Sequence, residues 1–423
     1  MSLSTTEPPA TPSGSSRPRG VRTDKSYAKT HIGFAWLRMM GAVLVIIEHS
    51  WSLIDPENPS MFPAEWHVGE IGILAFFAMS GYQVQQSWEG DPSWWRFAGR
   101  RIVRIVPPLA VMILCTVFVI GPIFTTVGLG EYFSSGTTWT FVTGMFPIVI
   151  YHLLPGVFED NPSNYSVNPS TWTLPMEIIG YTGIILLGLL VAFGVSRLIL
   201  PIVAIALAVQ QGIFMSTIGE WGSGGYLFAS PLNFLVKFLC AFVLGMTMYR
   251  FRDKIPQLPK VAFGLLGVWL LINFVLTPSA TEATPGWDGP GITPVPLILL
   301  NQYVMALVAV YGAITWANHW PKRLERPGNW VLGSYGMYIW AGILQSTFVA
   351  IGIQNRWGLL AISLPVAYFV GLLSWHYVEL PTQKLRRFFR GKDLGKDLMV
   401  RDESPVAQAV VGAPPPEKDK RDE

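Results

Sequence analysis

Residues 32–53 read IGFAWLRMMGAVLVIIEHSWSL, and this stretch decides the class of the fold. About 20 apolar residues rising 1.5 Å each cross a hydrocarbon core of about 30 Å, so the segment is long enough for a transmembrane helix. It nevertheless carries Arg38, Glu48 and His49. An ionisable side chain at such depth costs at least ~2.5 kcal/mol if it faces lipid, so these groups normally turn toward a protein interior or a wet cavity and mark function. From Arg38 to His49 a helix makes three turns plus about 20° and rises about 16 Å. The two side chains share one face but lie toward opposite membrane surfaces. The plainer reading is that Arg38 snorkels to a headgroup and that His49 is a satisfied buried histidine. Glu48 points about 100° away from His49, which suits helix packing.

The whole chain has the same character. Its 423 residues are 51% hydrophobic and 13% charged, against about 25% charged in soluble domains, so a soluble fold is excluded. Cys115 and Cys240 both sit in apolar runs. Neither a disulfide framework nor a metal site is expected, and both cysteines read as core packing. Hydropathy draws ten spans, about 33–53, 67–86, 104–122, 173–193, 197–214, 231–249, 261–277, 295–317, 331–351 and 358–378. The expected fold is therefore an all-α polytopic membrane protein of about ten transmembrane helices.

The net charge of +3 is uninformative until it is sorted by loop. Apart from Arg38, Lys237 and Arg356, every Lys and Arg falls in the terminal tails or in the connections after spans two, four, six and eight. The positive-inside rule then places both termini in the cytoplasm, with the chain multi-pass in the plasma membrane. The opposite face is acidic, with Asp55, Glu57, Glu65, Glu159, Asp160 and Asp288. Residues 1–30 are Pro, Ser and Thr rich and lack the apolar run of a signal peptide, and residues 389–423 are charged and Pro rich. Both read as disordered cytoplasmic tails around a transmembrane domain of residues 31–388. No appended soluble domain, solenoid repeat or nucleic-acid-binding element is expected.

Residues 123–172 form the largest outer connection. Within it, residues 138–154 (TWTFVTGMFPIVIYHLL) are apolar, but Pro147 and the charge count favour a re-entrant or interfacial piece over a span. The following GVFEDNPSNYSVNPST is turn-rich and polar, and reads as an exposed loop that could cap or line a site.

Several local patterns occur in order along this scaffold. After the Arg38 and His49 helix comes Phe76-Phe77-Ala78-Met79-Ser80-Gly81-Tyr82, then Arg100-Arg101-Ile102-Val103-Arg104-Ile105-Val106-Pro107-Pro108. Trp172-Thr173-Leu174-Pro175-Met176-Glu177 opens the fourth span, Gly333-Ser334-Tyr335-Gly336-Met337-Tyr338-Ile339-Trp340 lies in the ninth, and Val378-Glu379-Leu380-Pro381 closes the tenth. Each pattern alone is weak. Together, over roughly residues 34–385, they resemble the integral-membrane acyltransferase family 3, whose members O-acylate envelope glycans, glycolipids and macrolides. The resemblance implies acyl-CoA, with acetyl as the expected group, as a cytoplasmic co-substrate rather than a bound cofactor, and a hydroxyl acceptor. The family often has a histidine where this chain has Ala341, and its two-step members append a hydrolase-like domain. These departures favour direct transfer onto a glycolipid or glycan. The Pro, Ala, Gly and Trp content points to an actinobacterial envelope glycolipid of the trehalose-mycolate type.

The residue chemistry leads the same way. Acyl transfer to an alcohol needs a base near neutral pKa, which suits His49. Glu177 and Lys237 are expected at the same outer depth as His49, and a cluster of that kind is most cheaply explained by mutual pairing around a cavity. Glu177 then either orients His49, as the carboxylate does in a catalytic triad, or makes a structural ion pair with Lys237. Arg38, Arg100, Arg101 and Arg104 suit the phosphates of CoA, because guanidinium binds phosphate bidentately, although loop arginines also follow from topology alone. Ser80, Tyr335, Tyr338 and Trp172 are candidates for lining a pore or the acceptor side, with packing as the plainer role. The rival from another class is a secondary transporter or flippase with a proton relay, but no duplicated half with broken helices is visible.

Overall fold

The computed structural model describes residues 25–59, 61, 67–163, 166–217, 226–227, 230–272, 295–324, 331 and 333–389. The chain begins with α1 (Lys25–Ser52), α2 (Val68–Gly90) and α3 (Trp94–Cys115), which runs through a π turn at Thr116–Ile120 into α4 (Gly121–Phe124). Two short helices follow, α5 (Leu129–Ser134) and α6 (Gly136–Thr143), then α7 (Leu174–Ala192) and α8 (Ile199–Thr217). A small hairpin of β1 (Tyr226–Leu227) and β2 (Ser230–Pro231) leads into α9 (Leu232–Arg250) and α10 (Pro259–Leu271). The last elements are α11 (Val295–Leu307), α12 (Ala313–Asn318), α13 (Ser334–Ala350), α14 (Arg356–Ser374) and α15 (Leu380–Gln383), ending in a 3-10 segment at Lys384–Phe389. π turns at Val308–Gly312 and Trp375–Glu379 join α11 to α12 and α14 to α15.

This is a mostly helical, polytopic membrane protein. Six helical stretches are long and apolar enough to cross a bilayer: Ile32–Ser52, Trp94–Phe124, Leu174–Ala192, Leu232–Arg250, Leu300–Asn318 and Arg356–Phe389. The other apolar stretches expected from hydropathy also lie on helices, α2, α8, α10 and α13, which are shorter or more polar. Residues 273–277 of the seventh fall outside the described residues. So do most of the two expected tails, although α1 already begins at Lys25. The antiparallel hairpin, with Tyr226 opposite Pro231, was not expected from the sequence. Residues 138–154 do not form a span: α6 has 8 residues, about 12 Å of helix, and the rest is turns.

Helix α2 lies between α1 and α9, and glycine sets the distance. A Cβ at Gly81 would sit 1.9 Å from the Phe242 carbonyl oxygen, and one at Gly245 would sit 2.1 Å from that of Ala78. The two backbones thus approach as closely as small residues allow, which is how helices pack where lipid supplies no hydrophobic drive. Leu186, Leu190, Ile202, Ile205 and Phe263 stay exposed on the far sides of α7, α8 and α10, as a lipid-facing surface requires. Arg38, Glu48 and His49 of α1 and Glu70 of α2 are half-buried to buried rather than exposed.

Candidate active site

His49 lies in the last turn of α1. Its Nδ1 is 3.5 Å from the hydroxyl of Ser170. Ser170 belongs to the polar stretch that the sequence suggested would cap a site, and that loop, expected to be exposed, is mostly buried among its described residues, with Glu159, Asp160 and Pro162 exposed. Asn161 Nδ2 donates to the Ser346 carbonyl at 3.0 Å, and Asn168 Nδ2 donates to the Ile339 carbonyl at 2.8 Å. These bonds lay the loop along α13, while the Ser170 N–H donates to Asn168 Oδ1 at 3.1 Å and fixes the position of the hydroxyl. Gln345 of α13 completes the frame. Its Nε2 donates to the Ile46 carbonyl and to Ser50 Oγ, both at 2.9 Å, so α1 is pinned to α13 on either side of His49.

The expected pairing of Glu177 with His49 or Lys237 is not what the chain adopts. Glu177, in the first turn of α7, accepts hydrogen bonds from Tyr181 and, at 3.4 Å, from Ser80 Oγ. It acts electrostatically on Arg38, Tyr335 and Tyr338. Lys237 forms a buried ion pair with Glu70 instead. The physical reason is the tight α2 and α9 packing, which puts the first turn of α2 beside Lys237. Glu48 also has a more specific role than packing: it pairs with His67 at the N-terminus of α2. The expected cluster of three is therefore replaced by two separate pairs, Glu48 with His67 and Lys237 with Glu70.

Between His49 and Arg38 runs a row of polar groups. Tyr338 shares a 2.7 Å hydrogen bond with the hydroxyl of Thr173, and its ring meets Phe76 edge-on at 5.6 Å. Tyr335 donates to the Ile105 carbonyl at 3.2 Å. Ser80 and Tyr181 hold Glu177 as described above. Trp172 takes the packing role, against Phe234 and Phe238 at 5.4 and 5.9 Å.

At the Arg38 end the arginines divide into two kinds. Arg100 is committed to structure: it donates to Asp91 at 2.7 Å and to the Phe389 carbonyl at 2.9 Å, while Arg96 also grips Asp91. Partial burial opposes the charge on Asp91, but hydrogen bonds from Arg96 and Arg100 outweigh it and hold this carboxyl below its ordinary range. Arg100, expected from the sequence beside the phosphate-binding arginines, is thus engaged by Asp91 and the Phe389 carbonyl. Arg101 is buried over the rings of Phe97 and Tyr181, 5.3 and 5.7 Å from their centroids, and its Nε has no hydrogen-bond partner among the described residues. Arg38 donates to Gln83 of α2, and Arg104 and Arg101 stand close enough to act on it. Glu379, in the π turn, accepts from Ser374 Oγ at 3.3 Å and feels Arg104. Arg38, Arg101 and Arg104 thus form a half-buried to buried cationic group with only Glu177 and Glu379 as opposing carboxylates among these contacts.

The sequence reading missed Ser170, Gln83, Glu70, His67 and Asp91. Ser170 and Asp91 lie in short polar connections whose approach to a helix is set by tertiary contacts. Gln83 had a usable signal, a polar residue on α2 one position past the Ser80-Gly81-Tyr82 motif. Glu70 and His67 were ionisable residues at the edge of a span, and Lys237 and Glu48 were each in need of a partner.

A polytopic helical protein with a half-buried histidine at one end of a polar row and a half-buried to buried arginine group at the other has the parts for group transfer within a membrane. The chain belongs to the acyltransferase family whose model, described as an acyltransferase domain, matches residues 31–376. It is similar to the O-acetyl transferase of Shigella phage Sf6, 24% identical over 359 residues, which cover 82% of this chain and 94% of that protein. It is also similar to Nodulation protein 10 of Rhizobium leguminosarum bv. viciae, 24% identical over 379 residues, with 84% and 93% covered. No solved structure matches the chain. It is thus a multi-pass membrane protein of the acyltransferase class.

Proposed function

We propose that this acyltransferase takes an acyl group, acetyl in the simplest case, from cytoplasmic acyl-CoA and delivers it to a hydroxyl of an envelope glycolipid or glycan at the outer face of the plasma membrane. In this reading about ten helices cross the bilayer, both termini are cytoplasmic, and an actinobacterial glycolipid of the trehalose-mycolate type is one acceptor that fits. The observation that carries the reading is the continuity of α1, which bears the arginine end and the histidine end about 16 Å apart, with a row of hydroxyls and a carboxylate between them.

CoA is polyanionic and does not cross lipid, so its phosphates stay at the inner arginines. Arg38, Arg101 and Arg104 would hold them through charge-assisted hydrogen bonds. The pantetheine arm would follow the polar row toward His49. With Nδ1–H donating to Ser170 Oγ, the Nε2 lone pair is free to take the proton of the acceptor hydroxyl as its oxygen attacks the thioester carbonyl. Collapse of the tetrahedral intermediate breaks the C–S bond, and the proton passes from His49 to the departing CoA sulfur. No separate carboxylate is needed to orient the histidine.

Sealed vesicles of known orientation test the reading, with acyl-CoA and a membrane-impermeant acceptor each supplied on a chosen side. Transfer should require the donor on the cytoplasmic side and the acceptor on the other, and His49→Ala should remove it while leaving expression and detergent stability near wild type. Efficient transfer with both substrates confined to the cytoplasmic side would overturn the vectorial model, and appreciable turnover by the His49 variant would overturn the base.

A further inference from the structure

Beyond the His49 end of α1 the chain turns at Leu53 and meets the connection between α13 and α14. The two segments form the walls of a shallow surface cavity, widely open to solvent, of about 410 Å³ lined by Ile54, Asp55, Gln354, Asn355, Arg356 and Trp357. This lies within the usual range of small-ligand sites, about 300–1,000 Å³. Its floor is firm, since Leu53, Val349 and Leu359 form a separate buried cluster there. Trp357 is 60% exposed, yet its ring is oriented: it meets the buried Trp51 edge-on, with centroids 4.9 Å apart and planes at 84°. Four of the six lining residues are polar, so the cavity is a poor place for an acyl chain.

The polar groups specify the ligand further. Asp55 and Arg356 are paired with one another, which cancels their charge and favours neither an anion nor a cation. The pair nevertheless keeps capacity on both sides, because guanidinium has five N–H donors and a carboxylate has about four acceptor positions. Asp55 is further fixed by Asn58, whose backbone N–H and side-chain amide both donate to it at 3.2 Å. Asn355 spends its carbonyl oxygen on the N-terminus of α14, accepting from Gly358 N at 2.9 Å, which leaves its amide nitrogen as a donor. An uncharged ligand that offers neighbouring hydroxyls, each donor and acceptor at once, and one flat apolar face matches this set. A pyranose ring has those features.

We infer that the cavity is a subsite for a neutral hexopyranose unit of the acceptor, with Trp357 against the apolar face of the ring and the Asp55–Arg356 pair reading adjacent hydroxyls. The inference rests on the reading above that the His49 end is the acceptor side. Because the cavity begins past the end of α1, the sugar it holds is a neighbour of the reacting unit, and its binding energy serves to place the reacting hydroxyl. The other use of an exposed tryptophan at this level is as an interfacial anchor in the lipid headgroups.

Saturation-transfer NMR on the full-length protein in lipid nanodiscs separates the two. The probes are the methyl α-glycosides of glucose, galactose and mannose, together with α,α-trehalose. The wild type should transfer saturation to the ring protons of at least one probe, and His49→Ala should do so equally. Trp357→Ala should lose the signal at least about five-fold, Trp357→Phe should keep part of it, and Asp55→Asn should weaken it. In acyl-transfer assays Trp357→Ala should raise the KM for a di- or oligosaccharide acceptor and leave the donor KM alone. If no probe receives saturation from the wild type, or if Trp357→Ala binds as the wild type does, the subsite is overturned and Trp357 is an anchor. Where Trp357→Ala lowers the melting temperature, Trp357→Phe and Asp55→Asn decide by the same criterion. Sugar binding with this variant pattern in a protein that transfers no acyl group would refute the acyl-transfer reading and leave the subsite standing.

Discussion

Replacing Gly342 by alanine perturbs the candidate base without touching it. Gly342 is buried in α13, where the 156–171 loop crosses the helix. A Cβ there would lie 2.4 Å from Asn168 Oδ1, 2.8 Å from Ser170 Oγ and 2.9 Å from Pro169 Cδ, whereas ordinary contact begins near 3.4 Å. Relief requires the loop to retreat by ~1 Å, because Asn168 and Ser170 have short side chains with nowhere to swing. The Ser170 hydroxyl is already 3.5 Å from His49 Nδ1, the outer limit for a hydrogen bond. The retreat therefore breaks that bond. For stability, overpacking costs about 1–3 kcal/mol, while replacing a helical glycine returns about 1 kcal/mol, so the net loss should be small and the protein should fold. For catalysis, a 1 Å misplacement of a positioning group costs on the order of 100-fold. The expected result is a kcat reduced about 100-fold with donor KM unchanged, measured by acyl transfer in proteoliposomes beside a thermal melt. Ser170→Ala should reproduce the kcat loss without the packing cost. Gly264→Ala, where the new methyl meets nothing within 4 Å, should leave activity intact. Wild-type kcat in both Gly342→Ala and Ser170→Ala would refute the claim that Ser170 holds His49.

Three further outcomes follow from the same contacts. Arg38→Ala should weaken acyl-CoA binding about 10- to 100-fold, the value of a charge-assisted hydrogen bond, with Arg38→Lys restoring only part because a point charge lacks the bidentate fork; calorimetric titration showing unchanged affinity in both would move the phosphate site elsewhere. Lys237→Met alone should destabilise by about 3–5 kcal/mol by stranding the Glu70 charge, whereas Lys237→Met with Glu70→Leu should be close to neutral, since a well-packed apolar pair can replace a buried ion pair. Asp91 has its carboxyl held below the ordinary range by Arg96 and Arg100, so its contribution to stability is present above the unfolded aspartate value of ~3.9 and is lost as pH falls below it. A melting temperature that declines below about pH 4 in the wild type, and is lower but flatter in Asp91→Asn, is the expected pattern, and parallel curves would assign the acid loss to other groups.

The apolar stretches were legible in the sequence because lipid imposes one constraint on every helix, a continuous run of nonpolar residues, and the described parts of the ten stretches lie mainly on helices. Arg38 and His49 were legible for the complementary reason: in such a run an ionisable residue stands out, and its helical phase follows from counting. Partner choice was not legible. Glu177, Lys237, Glu48 and Glu70 each needed a counter-group, but which pairs form depends on which helices touch, and that is decided by small residues such as Gly81 and Gly245 in contact with carbonyls on the opposing helix. Depth alone pointed to Glu177 beside Lys237; close packing of α2 on α9 delivered Glu70 instead. The polar loop was misread for a related reason. Asn161, Asn168 and Ser170 look solvent-seeking in sequence, yet backbone carbonyls of α13 accept from both asparagines and satisfy them in the interior, so that burial costs little. That exchange brings a neutral hydroxyl rather than a carboxylate to His49. A carboxylate there would only accept and would stabilise the imidazolium, whereas a serine hydroxyl both donates and accepts, so it orients the ring without placing a charge beside it.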